Sequence, residues 1–118
     1  MTERRERWSV VLAAAAEADF TQILEWTAAR FGAKQAEAYG ETLMAAIAAL
    51  TESPGQAGTK TRDDLGRGVR ALPAARRGRK ARHLILFRVK SGAGAKAIEV
   101  LRILHDSRHV APDAAKRS

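Results

Sequence analysis

The hydrophobic pattern changes its period along this 118-residue chain. Trp8-Ser9-Val10-Val11-Leu12 is short, β-branched and aromatic, and it predicts a first strand. From Ala16 the spacing becomes helical. Ala16, Phe20, Ile23, Leu24, Thr27 and Phe31 fall on one stripe, with Glu17, Asp19 and Glu25 at its edge or beyond it. Gly32 stands where a left-handed residue would end that helix. A second helix is predicted from about Ala33 to Thr51, with the stripe Tyr39, Leu43, Ala46, Ile47 and Leu50, and with Glu37 and Glu41 on the opposite face. A single glycine between the two predicts an αα-hairpin, which the many alanines and Gly40 allow to pack closely. Ser53-Pro54-Gly55 stops the second helix.

Residues 53–68 are polar and glycine-rich and read as a loop. Strand character follows in Val69–Leu72, ended by Pro73, then in His83–Val89 and in Ile98–His105, with Lys90–Lys96 as a glycine-containing hairpin loop. The order β-α-α-β-β-β predicts an α+β fold, a helical hairpin on a small, mostly antiparallel sheet. Phe20, Ile23, Leu24, Phe31, Leu43, Ile47 and Leu50 should be buried between the layers. Strict alternation along the last strand puts Ile98, Val100 and Leu104 on one face and Leu101 and Ile103 on the other. Both faces of the sheet should therefore be covered, the outer one by the tail or by a partner. No composition break or linker divides the chain, so residues 1–118 are expected to form one domain, ordered over about 8–110, with a loose tail at 111–118.

Composition narrows the classes of function. Cysteine is absent, which excludes disulfides, thiol catalysis and cysteine-based metal sites. No apolar run is long enough to span a bilayer, and the apolar stretch after the charged N-terminus is broken by Glu17 and Asp19, too early for a signal peptide. A cytoplasmic protein without membrane contact is expected. The formal net charge is +8, and it is unevenly placed. Residues 1–52 carry five basic and eight acidic side chains, whereas residues 53–118 carry sixteen basic and five acidic ones. Such asymmetry points to a polyanionic partner, either nucleic acid or an acidic protein segment.

Metal-free RNA cleavage would need a base, an acid and cations to hold the phosphorane. Arginine is never the base, because its pKa lies far above neutrality. His83, His105 and His109 are the candidates, with Arg102 as cation and Asp106 as an orienting carboxylate. His105 and His109 have metal-capable spacing, but only Asp106 and Asp113 are at hand as further ligands, so neither metal nor cofactor is expected. The only tyrosine, Tyr39, lies on the apolar helical stripe and reads as a core residue. Arg76-Arg77-Gly78-Arg79-Lys80-Ala81-Arg82 could contact phosphates as a non-catalytic nucleic-acid-binding loop, but lacks interleaved aromatic residues.

Taken in order, several segments resemble one family. They are Trp8–Leu12, Ala18–Trp26 with Phe31-Gly32, Gly68–Pro73, Arg82–Val89 and, most telling, Ile98–Arg108. Over roughly residues 8–110 the chain resembles the RelE/ParE superfamily of type II toxin–antitoxin toxins, whose fold is the one read above. The resemblance implies one of two activities: RelE-like ribosome-dependent mRNA cleavage, or ParE-like inhibition of DNA gyrase. It also implies a cognate ParD-like antitoxin with an acidic, amphipathic C-terminal segment. RelE-like members typically rely on a tyrosine near the C-terminus, which this chain lacks, and Leu104-His105-Asp106-Ser107-Arg108 looks more like the ParE branch. Gyrase inhibition without enzymatic activity is thus the leading expectation, with the ribosome as target under the alternative. Toxicity is expected from Arg88, Arg102, His105, Asp106 and Arg108, and antitoxin binding from Arg70, Arg82 and Arg88. Arg102 and Asp106 are also a candidate structural pair.

Overall fold

The computed structural model describes residues 8–55, 58–75, 81–92 and 95–105. Strand β1 (Ser9–Leu12) leads into helix α1 (Ala14–Phe31), helix α2 (Ala33–Leu50), strand β2 (Lys60–Thr61), a 3-10 turn (Asp63–Leu65), and strands β3 (Val69–Pro73), β4 (His83–Gly92) and β5 (Ala95–His105). The five strands lie in the order β1-β5-β4-β3-β2. β1 runs parallel to β5 and every other pair is antiparallel. The helical hairpin covers one face of this mixed sheet, so the α+β architecture agrees with the sequence reading.

The hairpin turns on Gly32, whose φ of 98° and ψ of 161° suit glycine alone. Its N–H donates to the Ala28 carbonyl at the end of α1, and its own carbonyl accepts the Ala36 N–H at the start of α2. One residue thus closes one helix and opens the next. At Gly40 the helices approach so closely that a Cβ would lie 3.3 Å from Leu24 Cδ1. The core between the layers holds Leu43, Ile47 and Leu50 of α2 against Leu72, Ile85, Phe87, Ile98, Val100 and Ile103 of the sheet.

Four expectations change. Phe31 is not in the core. It is 64% exposed, because the last turns of α1 extend past the strand β5 that α1 packs on. Phe20, Ile23 and Leu24 are only half-buried. Second, strict alternation fails along β5. A bulge lies where Leu86 pairs with Arg102 but Phe87 pairs with Val100. The extra residue shifts the phase, so Ile98, Val100 and Ile103 all join the helix-side core, while Leu101 and Leu104 join Leu65, Val69, Ala71 and Leu86 on the outer face. Leu65 of the 3-10 turn is part of that outer cluster.

Third, the β4–β5 ladder extends into the segment read as a loop, through Lys90↔Ala97, Ser91↔Lys96 and Gly92↔Ala95. Residues of weak strand preference are carried into the sheet by strands already in register. Fourth, the polar loop at 53–68 contains β2, a two-residue strand on the edge beside β3. The tail 111–118 lies outside the described residues.

Candidate functional site

β1 ends at Leu12, and the chain leaves the sheet there: Ala13 N–H donates to the Val100 carbonyl and α1 begins one residue later. Beyond that point no strand lies beside the outer edge of β5 among the described residues. Asp19, in the second turn of α1, takes over. Its carboxylate accepts the Ile103 backbone N–H at 2.9 Å and two hydrogen bonds from Arg102, from Nε at 2.8 Å and from Nη2 at 2.9 Å. Both side chains are largely buried, and the hydrogen bond to Asp19 raises the Arg102 pKa further. One carboxylate therefore ties the free edge of β5 to α1. Arg102 meets Asp19, and Asp106, its partner in the sequence reading, lies outside the described residues.

Past this seam the second half of α1 and the first half of α2 overhang the end of β4 and β5. Beneath them lies an open cleft of about 860 Å³. Its helical wall combines apolar Ile23, Trp26, Phe31 and Ala38 with polar Gln22, Thr27, Gln35 and Thr42. Trp26 and Phe31 meet edge to face with centroids 6.1 Å apart, and the Arg30 guanidinium lies 4.8 Å from the Trp26 ring centroid. The sheet side of the cleft is of different chemistry. His83 and His105 are directly paired across β4 and β5, with ring centroids 5.3 Å apart and nearly perpendicular planes. Tyr39 Oη shares a 2.7 Å hydrogen bond with His83 Nδ1 and accepts the Arg82 backbone N–H at 3.0 Å. Burial raises the phenol's pKa, opposed by the Arg82 hydrogen bond and charge. The exposed Arg82 stands at the rim.

The structure thus gathers Arg82, His83 and His105 in one cleft and separates the other candidates. Arg102 is turned to Asp19. Arg88 lies on the outer face, opposite Val69, and its Nε donates to the Arg67 carbonyl at 3.1 Å. Arg70, opposite Phe87, is on the helix side and reaches toward Gly55. Asp106, Arg108, His109 and most of the basic run, Arg76–Lys80, lie outside the described residues. Three contributors escaped the sequence reading. Tyr39 packs against the core as its stripe implied, yet its hydroxyl faces the cleft. Trp26 lies off the stripe, and Asp19 was noted only as a residue at its edge. A carboxylate beside an apolar stripe was the one available signal for the Asp19 seam.

Comparison with known proteins bears on this arrangement. The family model described as the ParE toxin of type II toxin-antitoxin system, parDE, matches residues 10–110. No curated protein matches the sequence. Among solved structures, a chain from the chromosomal ParDE TA system from P. aeruginosa superposes with a TM-score of 0.67 at 24% identity, covering 85% of this chain and 97% of that one. The YoeB/ParE toxin from Agrobacterium tumefaciens superposes with a TM-score of 0.55 at 17% identity, covering 82% and 97%. At these identities the two structures support the fold. The family match spans both helices, the Asp19 seam and all three C-terminal strands, and on it the chain belongs to the ParE toxin family of type II toxin–antitoxin systems.

Proposed function

We propose that this protein is a toxin that acts in the cytoplasm by binding DNA gyrase and trapping it on cleaved DNA, without enzymatic activity of its own, and that a ParD-like antitoxin neutralises it. The observation that carries this reading is the ParE family match over residues 10–110. The chemistry of the site supports it. The only tyrosine is held in α2 between His83 and the Arg82 N–H, and its environment favours the neutral phenol rather than a reactive phenolate. The ribonuclease alternative draws on one specific feature, the pairing of His83 with His105, but Arg102, the cation assigned to it, is committed to Asp19. The toxic surface we favour is the end of β5 with the residues that follow, His105, Asp106 and Arg108, together with Arg88 on the outer face. Arg102 serves it by holding β5 in place.

Induction of the protein in bacterial cells tests the reading. The expected result is DNA-damage signalling and filamentation while protein synthesis continues, with accumulation of gyrase–DNA cleavage complexes on plasmid DNA in vitro. Rapid translation arrest with codon-phased mRNA cuts would establish the ribonuclease instead.

A further inference from the structure

The charge imbalance between the two halves of the sequence becomes an imbalance between the two layers of the fold. On the helical hairpin Glu17, Glu25, Glu37 and Glu41 are exposed, against Arg30 and Lys34. Residues 53–118, which supply β2 to β5 and their connections, carry sixteen basic and five acidic side chains. A polyanion is drawn to the sheet and repelled from the helices.

On the outer face of the sheet three cationic residues stand on neighbouring elements. Lys60 of β2 is opposite Ala71, and Arg88 of β4 is opposite Val69. Ala71 and Val69 belong to the outer cluster, and directly opposed residues share a face, so Lys60 and Arg88 lie on that side. Arg67 sits in the turn that enters β3. That turn is pinned from several sides. Asp63 accepts the Gly66 N–H at its carbonyl and the Gly68 N–H at Oδ1, both at 3.1 Å. Arg88 Nε donates to the Arg67 carbonyl at 3.1 Å, and a Cβ on Gly66 would lie 3.4 Å from Arg88 Nη2. Two cationic residues thus meet at one turn.

The carboxylates of this region are already engaged. Asp63 holds the Gly68 N–H, Asp64 takes two hydrogen bonds from Arg62, and Glu99, opposite Arg88 in the ladder, pairs with Lys90 at 3.3 Å. Among the described residues no carboxylate pairs with Lys60, Arg67 or Arg88. The surroundings say what such a row binds. Leu65, Val69, Ala71 and Leu86, the apolar residues beside it, are buried. An acidic peptide needs an exposed apolar pocket as well as a cation, whereas a nucleic-acid backbone is held by exposed cations alone. β2 and β4 are two strand spacings apart, about 10 Å. Each DNA strand presents a phosphate about every 3.4 Å of helix axis, so Lys60 and Arg88 can meet separate phosphates.

We infer that the outer face of the sheet, through Lys60, Arg67 and Arg88, binds the sugar–phosphate backbone of duplex DNA, so that the toxin touches the DNA held by gyrase as well as the enzyme. This rests on the gyrase reading above. The acidic helical layer then faces away from the DNA, and the contact carries no base sequence preference.

The test uses the full-length protein and a short, fluorescently labelled duplex of mixed sequence, with anisotropy followed over rising salt. Lys60→Gln and Arg67→Gln should each weaken binding about three- to tenfold at low salt and make the dependence of log K on log salt shallower by about one. Both residues are exposed, so melting temperatures should stay at the wild-type value. Lys34→Gln removes the same charge from α2 and should leave binding unchanged. In a plasmid cleavage assay with gyrase, Arg67→Gln should yield fewer cleavage complexes than wild type, with binding to gyrase alone unaltered.

Duplex binding that is unaffected by Lys60→Gln and Arg67→Gln overturns the inference and leaves the gyrase reading standing. So does an equal loss with Lys34→Gln, which would mean that net charge alone acts. A loss of binding to gyrase without DNA would put an acidic protein surface on this row and overturns it too. Absence of cleavage complexes with the wild type removes the gyrase reading and this inference with it.

Discussion

The two ends of the helical hairpin have opposite fates. At one end, the C-terminal half of α2 rests on the sheet, and Leu43 and Leu50 are fully buried with Ile47 beside them. At the other, the C-terminal half of α1 overhangs β4 and β5, leaving Trp26 55% and Phe31 64% exposed. Both stretches carry large apolar side chains at helical spacing. What differs is whether a strand lies beneath them. The anchored end is built into the core, and the overhanging end leaves its two aromatic side chains exposed. A helix stripe says which residues share a face; it does not say that the face is covered over its whole length.

The sharpest way to break this contrast is to truncate one residue from each end. Leu43→Ala should destabilise the fold by about 2–5 kcal/mol, since it opens a cavity in a fully buried position. Chemical denaturation measures this directly, as a lower midpoint with an unchanged slope. A loss comparable to a surface substitution would mean that α2 does not anchor the hairpin.

The seam between the two ends comes next. Asp19→Asn removes the charge that Arg102 faces and weakens the bond to the Ile103 N–H. A cost of about 1–3 kcal/mol is expected from leaving a largely buried guanidinium without its carboxylate. Amide exchange at Ile103 should speed up more than exchange in the middle of β4. Uniform acceleration would show that Asp19 acts on global stability rather than on the β5 edge.

Tyr39 belongs to the overhanging half, but it is tied to the sheet. Tyr39→Phe keeps the ring and deletes hydrogen bonds to His83 and Arg82, with an expected cost of about 0.5–1.5 kcal/mol. The histidine ring resonances observed by NMR should shift, because the His83 ring loses its partner. Unchanged spectra would argue against that hydrogen bond in solution.

The smallest effect on stability is expected from Phe31→Ala, within about 0.5 kcal/mol, as for other exposed positions. The same substitution should weaken antitoxin binding measurably, because the ring forms part of the cleft wall. If Phe31→Ala lowers the melting temperature as much as Leu43→Ala does, the comparison between the two ends collapses.

The helical hairpin, its glycine hinge and the three C-terminal strands were legible from periodicity and breakers, since Gly32 and the β-branched runs act through local backbone preference. The anchoring role of Leu43, Ile47 and Leu50 was legible too, because that stripe is continuous and has strands to meet. The strongly basic second half of the chain was plain from composition, and the resemblance that suggested a toxin lay in the order of the segments. The rest depended on distance in space. The bulge at Leu86–Phe87 reversed the facing of Leu104 and Ile103, and strict alternation carries no sign of such an extra residue. Asp19 and Arg102 stand 83 positions apart and meet because β1 stops short of the end of β5. Tyr39 and His83, 44 apart, meet because α2 crosses the start of β4. Phe31 is exposed for the same kind of reason: its stripe is set by the local sequence, but its burial depends on how far the sheet extends beneath it. Local spacing determined the elements and their apolar faces, while the cleft, its cationic edge and the carboxylate that secures it arose only when distant segments packed together.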